Sequence, residues 1–195
     1  MYGQHNEEEI LEKYFIPGRN TRTYVDVGAF SPDEISNTYK YYMEGGSGIL
    51  VEPCPLYHEE LRVKRPRDIL VKEAIHNYNG KCNMLTTVTM DSPLGPIYTK
   101  EVDKPIYTVD CITMDTLIKR YPEYSEPDFM NMDIETNEFN ALSRCDFNVF
   151  KPHVIVIEYL LRGVDYRTVW GKFLEPFYEF KEALSCNAFY VRKNA

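Results

Sequence analysis

The sequence lacks a glycine-rich repeat behind its first apolar stretch, a GxxxxGK[ST] loop, a CxxC pair, a long apolar run and any basic excess. Each absence excludes something. With 22 Lys and Arg against 30 Asp and Glu, and a net charge of −8, there is no broad surface for neutralising phosphates, so no nucleic-acid partner is expected. No apolar run approaches the roughly 18 residues of a membrane span, so no membrane partner is expected either. The cysteines (Cys54, Cys82, Cys111, Cys145, Cys186) are scattered, which argues against a zinc site and for free thiols in a reducing compartment. The start, MYGQHNEEEILEKYF, has neither the basic residues nor the apolar stretch of a signal peptide. These features point to a soluble, cytoplasmic protein.

What is present is the material of a packed globule: 44% hydrophobic and 14% aromatic residues in 195, enough for a single domain over 1–195. Residues 1–20 read as a helical extension, with Asn6 as cap, Glu9 completing a capping-box pattern, and Ile10, Leu11, Tyr14 and Phe15 on one face. Strand patterns fall at 23–28, 48–52, 69–75, 128–132, 153–158 and 187–192, and helical patterns at 33–44, 55–64, 113–121 and 136–144. Near-continuous apolar strands alternating with helices imply an α/β fold with a mostly parallel sheet covered on both faces. Any ligand then sits at the strand C-termini. Asn79-Gly80, Pro93, Gly95-Pro96 and Pro105 mark 77–110 as a hairpin or irregular insertion. The tail 177–192 reads as an antiparallel pair finishing the sheet.

Acids or glycine stand at the ends of several strands: Asp26 and Gly28, Glu52, Asp133 and Glu135, and Glu158. Glu52, at the end of the second strand, stands where a ribose diol is held in nucleotide-binding folds, and an ionised carboxylate can accept both hydroxyls. Gly28 stands alone, whereas a pyrophosphate wants several glycines, so NAD and FAD are disfavoured and the missing phosphate loop argues against ATP hydrolysis. A nucleoside cofactor without phosphates fits better, and S-adenosylmethionine is the candidate.

TYVDVGAFSPDEISNTY, GILVEPCPLYHEEL, RPRDILVKEAI, VDCITMDTLI, PDFMNMDIETNEFNAL and HVIVIE follow one another in order. This set, over about residues 20–160, resembles the FkbM-type class I methyltransferases, and GQHNEEEIL is similar to that family's entry helix. The resemblance implies a Rossmann-like, seven-stranded sheet with the last strand antiparallel, S-adenosylmethionine as cofactor, and mostly O-methylation. It implies that Asp26 and Gly28 shape the methionine side of the pocket. Ser36, Asn37 and Thr38 would lie near the cofactor carboxylate (or serve as polar helix packing), Glu52 at the ribose, and Glu73, Ala74 and Ile75 at the adenine, with Pro53 and Asp133 also among the cofactor-binding residues. One departure is Thr136, where the family's Asp-Val-Glu-Gly carries glycine; Thr136 could instead cap the following helix, with Phe139 and Leu142 on its buried face.

A hydroxyl is barely acidic, so a general base is needed, and Asp133, Glu135 and Glu158 are the candidates. His153 reads as structural. Two acids spaced i, i+2 with no clear third ligand do not call for a metal. Tyr159, Tyr166 and Trp170 could line an acceptor site, the last two stacking on a pyranose, or pack in the core. The expected partner is a glycan or small-molecule acceptor. Alternatives are a non-catalytic cofactor-binding member of the fold and, less favoured, a nicotinamide-dependent oxidoreductase.

Overall fold

The computed structural model describes residues 3, 5–85, 106–135, 137–161 and 164–193. In chain order its elements are α1 (Glu7–Tyr14), β1 (Thr23–Val27), α2 (Tyr39–Met43), β2 (Ser47–Val51), α3 (His58–Lys64), β3 (Ile69–Val71), β4 (Ala74–Ile75), β5 (Gly80–Leu85) and β6 (Ile106–Ile112). There follow α4 (Met114–Arg120), a 3-10 turn (Pro122–Tyr124), β7 (Phe129–Met132), α5 (Glu138–Leu142), β8 (Val154–Glu158), β9 (Leu160–Leu161), β10 (Val164–Asp165), α6 (Arg167–Leu174), β11 (Tyr178–Leu184) and β12 (Asn187–Arg192).

Seven strands form the main sheet in the order β11-β12-β8-β7-β1-β2-β3. β8, β7, β1, β2 and β3 run parallel, and β12 is antiparallel to both β8 and β11. This is the mixed α/β sheet expected from the sequence. Its strands read as unbroken apolar runs because both faces are covered. Val25, Val27, Ile49, Val51, Met130, Met132, Ile155 and Ile157 face α4, α5 and α6, while Tyr24, Leu50, Phe129, Val154, Val156 and Phe189 face α1, α2 and α3. Each such side chain taken fully out of water contributes roughly 1.5–3 kcal/mol, which is why the sheet register is so strongly specified.

Several local expectations are corrected. Asn6 does not cap α1: it lies in the left-handed region (φ 69°) with no side-chain cap bond. Instead the acids of the first turn reach back, Glu8 Oε1 accepting from Gly3 N–H and Glu7 Oε2 from His5 N–H, both at 2.8 Å. Carboxylates there also suit the positive end of the helix. The pattern at 33–44 shortens to α2, because Phe30 (φ 49°) and Ile35 (φ 53°) are left-handed and Ser31 Oγ accepts from Glu34 N–H in a local turn. The stretch 69–75 splits at Lys72–Glu73: β3 stays in the main sheet, and β4 crosses to pair with β6. Within 77–110, β5 pairs antiparallel with β6 to complete a small β4-β6-β5 sheet; Pro93, Gly95-Pro96 and Pro105 lie outside the described residues, as do Gln4 and Thr136. Leu142 is buried as expected, but Phe139 is 37% exposed and sits edge-on to Phe173. His153 is structural, its Nε2 donating to the Tyr14 carbonyl and tying the end of α1 to β8.

Candidate active site

Parallel registers place the functional residues in one row. Val27 pairs with Val51 and Met132, and Met132 with Ile157, so the next residues, Gly28, Glu52, Asp133 and Glu158, stand side by side at the strand C-termini. Gly28 adopts φ +94°, and a Cβ there would lie 1.9 Å from the Asp133 carbonyl oxygen. The single glycine is therefore required by the neighbouring strand end.

Asp26 is buried on the α1–α3 face, directly opposite Asn131 in the register. Its Oδ1 accepts from Asn131 Nδ2 at 2.9 Å and its Oδ2 from Thr38 Oγ at 2.8 Å. Burial pushes its carboxyl upward, opposed by Asn131, Thr38 and Arg65. Asn131 Oδ1 in turn accepts from Asn37 Nδ2 at 2.9 Å. Ser36 lies 3.3 Å from Thr38 between their hydroxyl oxygens. Thus Asp26, Ser36, Asn37 and Thr38 form one polar unit beneath the loop after β1. Neither Asn131 nor Arg65 was picked out from the sequence.

Glu52 is 6% exposed, and its oxygens accept from Phe30 N–H (2.8 Å) and Cys54 N–H (2.7 Å) across the Pro53 turn. Burial pushes its carboxyl up to about 7, against the pull of those two amides. Each oxygen keeps a second lone pair for a hydroxyl donor. Of the residues expected at the adenine, Ile75 is buried and its carbonyl accepts from Asn137 Nδ2 at 2.8 Å, while Glu73 makes an ion pair with Arg120 at 2.7 Å.

The acids cluster beyond β7 and β8. Oxygens of Asp133, Glu138 and Glu158 lie within 4.8 Å of one another. The third member is Glu138, not Glu135, which sits exposed in a left-handed turn (φ 54°). Glu138 is buried at the start of α5 and its Oε1 accepts from Ile134 N–H at 3.0 Å, fixing the turn that carries Asp133. An acid in the first helical turn reaching back to an amide four residues earlier is the signal that could have found it. The three carboxylates supply the ligand number that the sequence reading found missing for a hard cation. Burial, then the surrounding carboxylates, raises Asp133 to about 7 and Glu158 to about 9, and the two are hydrogen-bonded to each other. The pair therefore retains a proton between its two carboxyls near neutral pH, because two desolvated charges this close cannot both persist.

Beside this pair lies a cavity of about 80 Å³ lined by Glu138, Phe139, Glu158, Tyr159, Tyr166 and Trp170. Tyr166 and Trp170 stack on each other (5.6 Å, 12°), so they do not form an open clamp for a sugar ring; one wall of the cavity is their packed edge. A larger hollow of about 370 Å³ lies on the opposite face, among Leu50, Leu61, Arg62 and Leu70, away from these acids.

The sheet order, five parallel strands with an antiparallel strand near one edge, is that of the class I methyltransferases. Residues 26–176 match the methyltransferase FkbM domain, and the chain belongs to that family. Its fold is similar to a crystal structure of methyltransferase FkbM from Methylobacillus flagellatus (TM-score 0.56, 15% identity), covering 90% of this chain and 44% of that one. It is also similar to a TehB-like SAM-dependent methyltransferase from Corynebacterium glutamicum (TM-score 0.53, 10% identity), covering 99% and 89%. The chain thus spans less than half the length of the FkbM structure. No curated protein matches the sequence.

Proposed function

We propose that this protein is an S-adenosylmethionine-dependent O-methyltransferase acting in the cytoplasm on a hydroxyl of a glycan or small natural product, without nucleic-acid or membrane partners. The observation that carries this reading is the cluster of Asp133, Glu138 and Glu158 carboxylates, within 4.8 Å of one another at the strand edge, beside a small aromatic cavity that Glu138 and Glu158 line. The residues present suit the cofactor: Glu52 keeps lone pairs for a ribose diol, and the buried Asn37 Oδ1 has no partner among the described residues. When bound, S-adenosylmethionine supplies an electrophilic methyl group, transferred as its C–S bond breaks and a C–O bond forms.

The chain's own part is alignment and proton removal. Holding the acceptor oxygen in line is worth roughly 7–11 kcal/mol in well-oriented systems. Asp133 takes the hydroxyl proton. Glu158 keeps its own proton and hydrogen-bonds to Asp133, holding it in place. Glu138 fixes the turn beneath them through Ile134 N–H.

The test is formation of S-adenosylhomocysteine from S-adenosylmethionine over a panel of hydroxylated acceptors, with Asp133→Asn as control. Turnover lowered by about 10²–10⁴ in the variant, with cofactor affinity retained, is expected. Turnover equal in wild type and variant would remove Asp133 from its role. Cofactor binding without turnover on any acceptor would favour a non-catalytic protein.

A further inference from the structure

The small β4-β6-β5 sheet brings together two thiols that the chemistry above does not use. In its antiparallel register Cys82 pairs with Val109 and Cys111 with Gly80, so all four residues share one face. Gly80 adds no side chain opposite Cys111; the Tyr78 ring stands there instead, 3.5 Å from where a Cβ would be. The Cys82 thiol reaches across the diagonal and hydrogen-bonds with Cys111. Cys111 is buried and donates from Sγ to the Tyr78 carbonyl at 3.6 Å, while Cys82 is partly exposed. Burial, then the neighbouring Cys111, pushes the Cys82 thiol up to about 11. A thiol that keeps its proton reacts slowly with oxidants, yet gives the proton up to a thiophilic cation.

A hydrogen-bonded thiol pair suits either a disulfide or a metal, and the register separates the two. Diagonal neighbours on antiparallel strands stand about 7–8 Å apart, beyond the roughly 4.4–6.8 Å between Cα atoms that a disulfide spans. A cation between the sulfurs replaces one bond of about 2.05 Å by two of about 2.3 Å, which fits the longer diagonal. Among the described residues no third His, Cys, Asp or Glu joins the two thiols. Structural zinc takes four ligands and hard cations take oxygen, so two sulfurs alone select a soft ion of low coordination number.

We propose that Cys82 and Cys111 form a two-thiolate site for a soft monovalent cation, Cu(I), which clips β5 to β6. Two thiols and one Cu(I) give a bis-thiolate complex and two released protons, with no change in oxidation state. The site stands apart from the strand-edge row and is independent of the methyl-transfer reading. It brings together two of the cysteines that the sequence scatters.

The test is titration of the fully reduced protein, without oxygen, with Cu(I) in competition with a chromophoric Cu(I) chelator. Wild type should hold one equivalent. Cys82→Ser and Cys111→Ser should each weaken it at least about 100-fold, while Cys54→Ser, Cys145→Ser and Cys186→Ser change it less than about threefold. X-ray absorption of the loaded protein should show two sulfur ligands. If Cys111→Ser, at a buried position, fails to fold, Cys82→Ser at the partly exposed one carries the test. Cu(I) held as tightly by Cys82→Ser as by wild type, binding that depends on Cys54, Cys145 or Cys186, or no Cu(I) retained by wild type overturns the proposal.

Discussion

Glu158→Gln tests the acid cluster through stability, independently of any acceptor. Burial and the neighbouring Asp133, Glu135 and Glu138 raise the Glu158 carboxyl to about 9. A group whose folded pKa lies above its unfolded value stabilises most at low pH, and that contribution is lost as pH rises from the ordinary carboxylate range through the folded value. For Glu158 the window opens near 4.5 and closes near 9. At about 1.36 kcal/mol per unit the ceiling is about 6 kcal/mol; partial solvent exposure and the proton shared with Asp133 leave about 1–2 kcal/mol. Glutamine imitates the protonated acid, donating to Asp133 without the later charge. Wild type and Glu158→Gln should therefore melt within about 1 °C of each other at pH 6. At pH 9 the variant should melt about 3–6 °C higher, taking about 2–4 °C per kcal/mol for a chain of this size. Thermal unfolding followed by circular dichroism between pH 5 and 9 reads this directly. Curves that stay parallel across that range would show that Glu158 holds no extra proton and would remove the shared-proton pair from the mechanism.

Two further outcomes follow from the same row. Gly28→Ala forces a Cβ within 1.9 Å of the Asp133 carbonyl at φ +94°, so a loss of about 3 kcal/mol or more is expected, and an unchanged melting temperature would contradict the close approach of the two strand ends. Glu52 accepts ribose hydroxyls best when ionised and its carboxyl is raised to about 7. Calorimetric affinity for S-adenosylhomocysteine should then tighten by up to about tenfold from pH 6 to pH 8, and Glu52→Gln should flatten that dependence.

The main sheet was legible because its strands are apolar on both faces, a pattern that only a covered parallel sheet explains, and the acids closing them were legible because strand ends are easy to place. The row of Gly28, Glu52, Asp133 and Glu158 needed only the register. What could not be read depends on contacts far apart in sequence. Arg65 looks like one more basic residue closing a surface helix, yet Asp68, Tyr24 and Thr38 bury it completely. Gly28 is demanded by a backbone carbonyl more than a hundred residues later, a contact invisible in the sequence. Glu135 and Glu138 are indistinguishable as letters; a left-handed turn points one outward, and an amide bond turns the other inward. The helix expected from 33 to 44 shortens to Tyr39–Met43 because Ile35 adopts left-handed backbone that no propensity scale assigns to it.

The central claim is that this strand edge holds a sulfonium nucleoside through Glu52. The most direct measurement is calorimetric titration of wild type and Glu52→Ala with S-adenosylhomocysteine, and of wild type with NADH. The account predicts one-to-one binding to wild type, well over tenfold weaker binding in the variant, and no heat with NADH. Binding of NADH in its place, or equal affinity in wild type and Glu52→Ala, would contradict it.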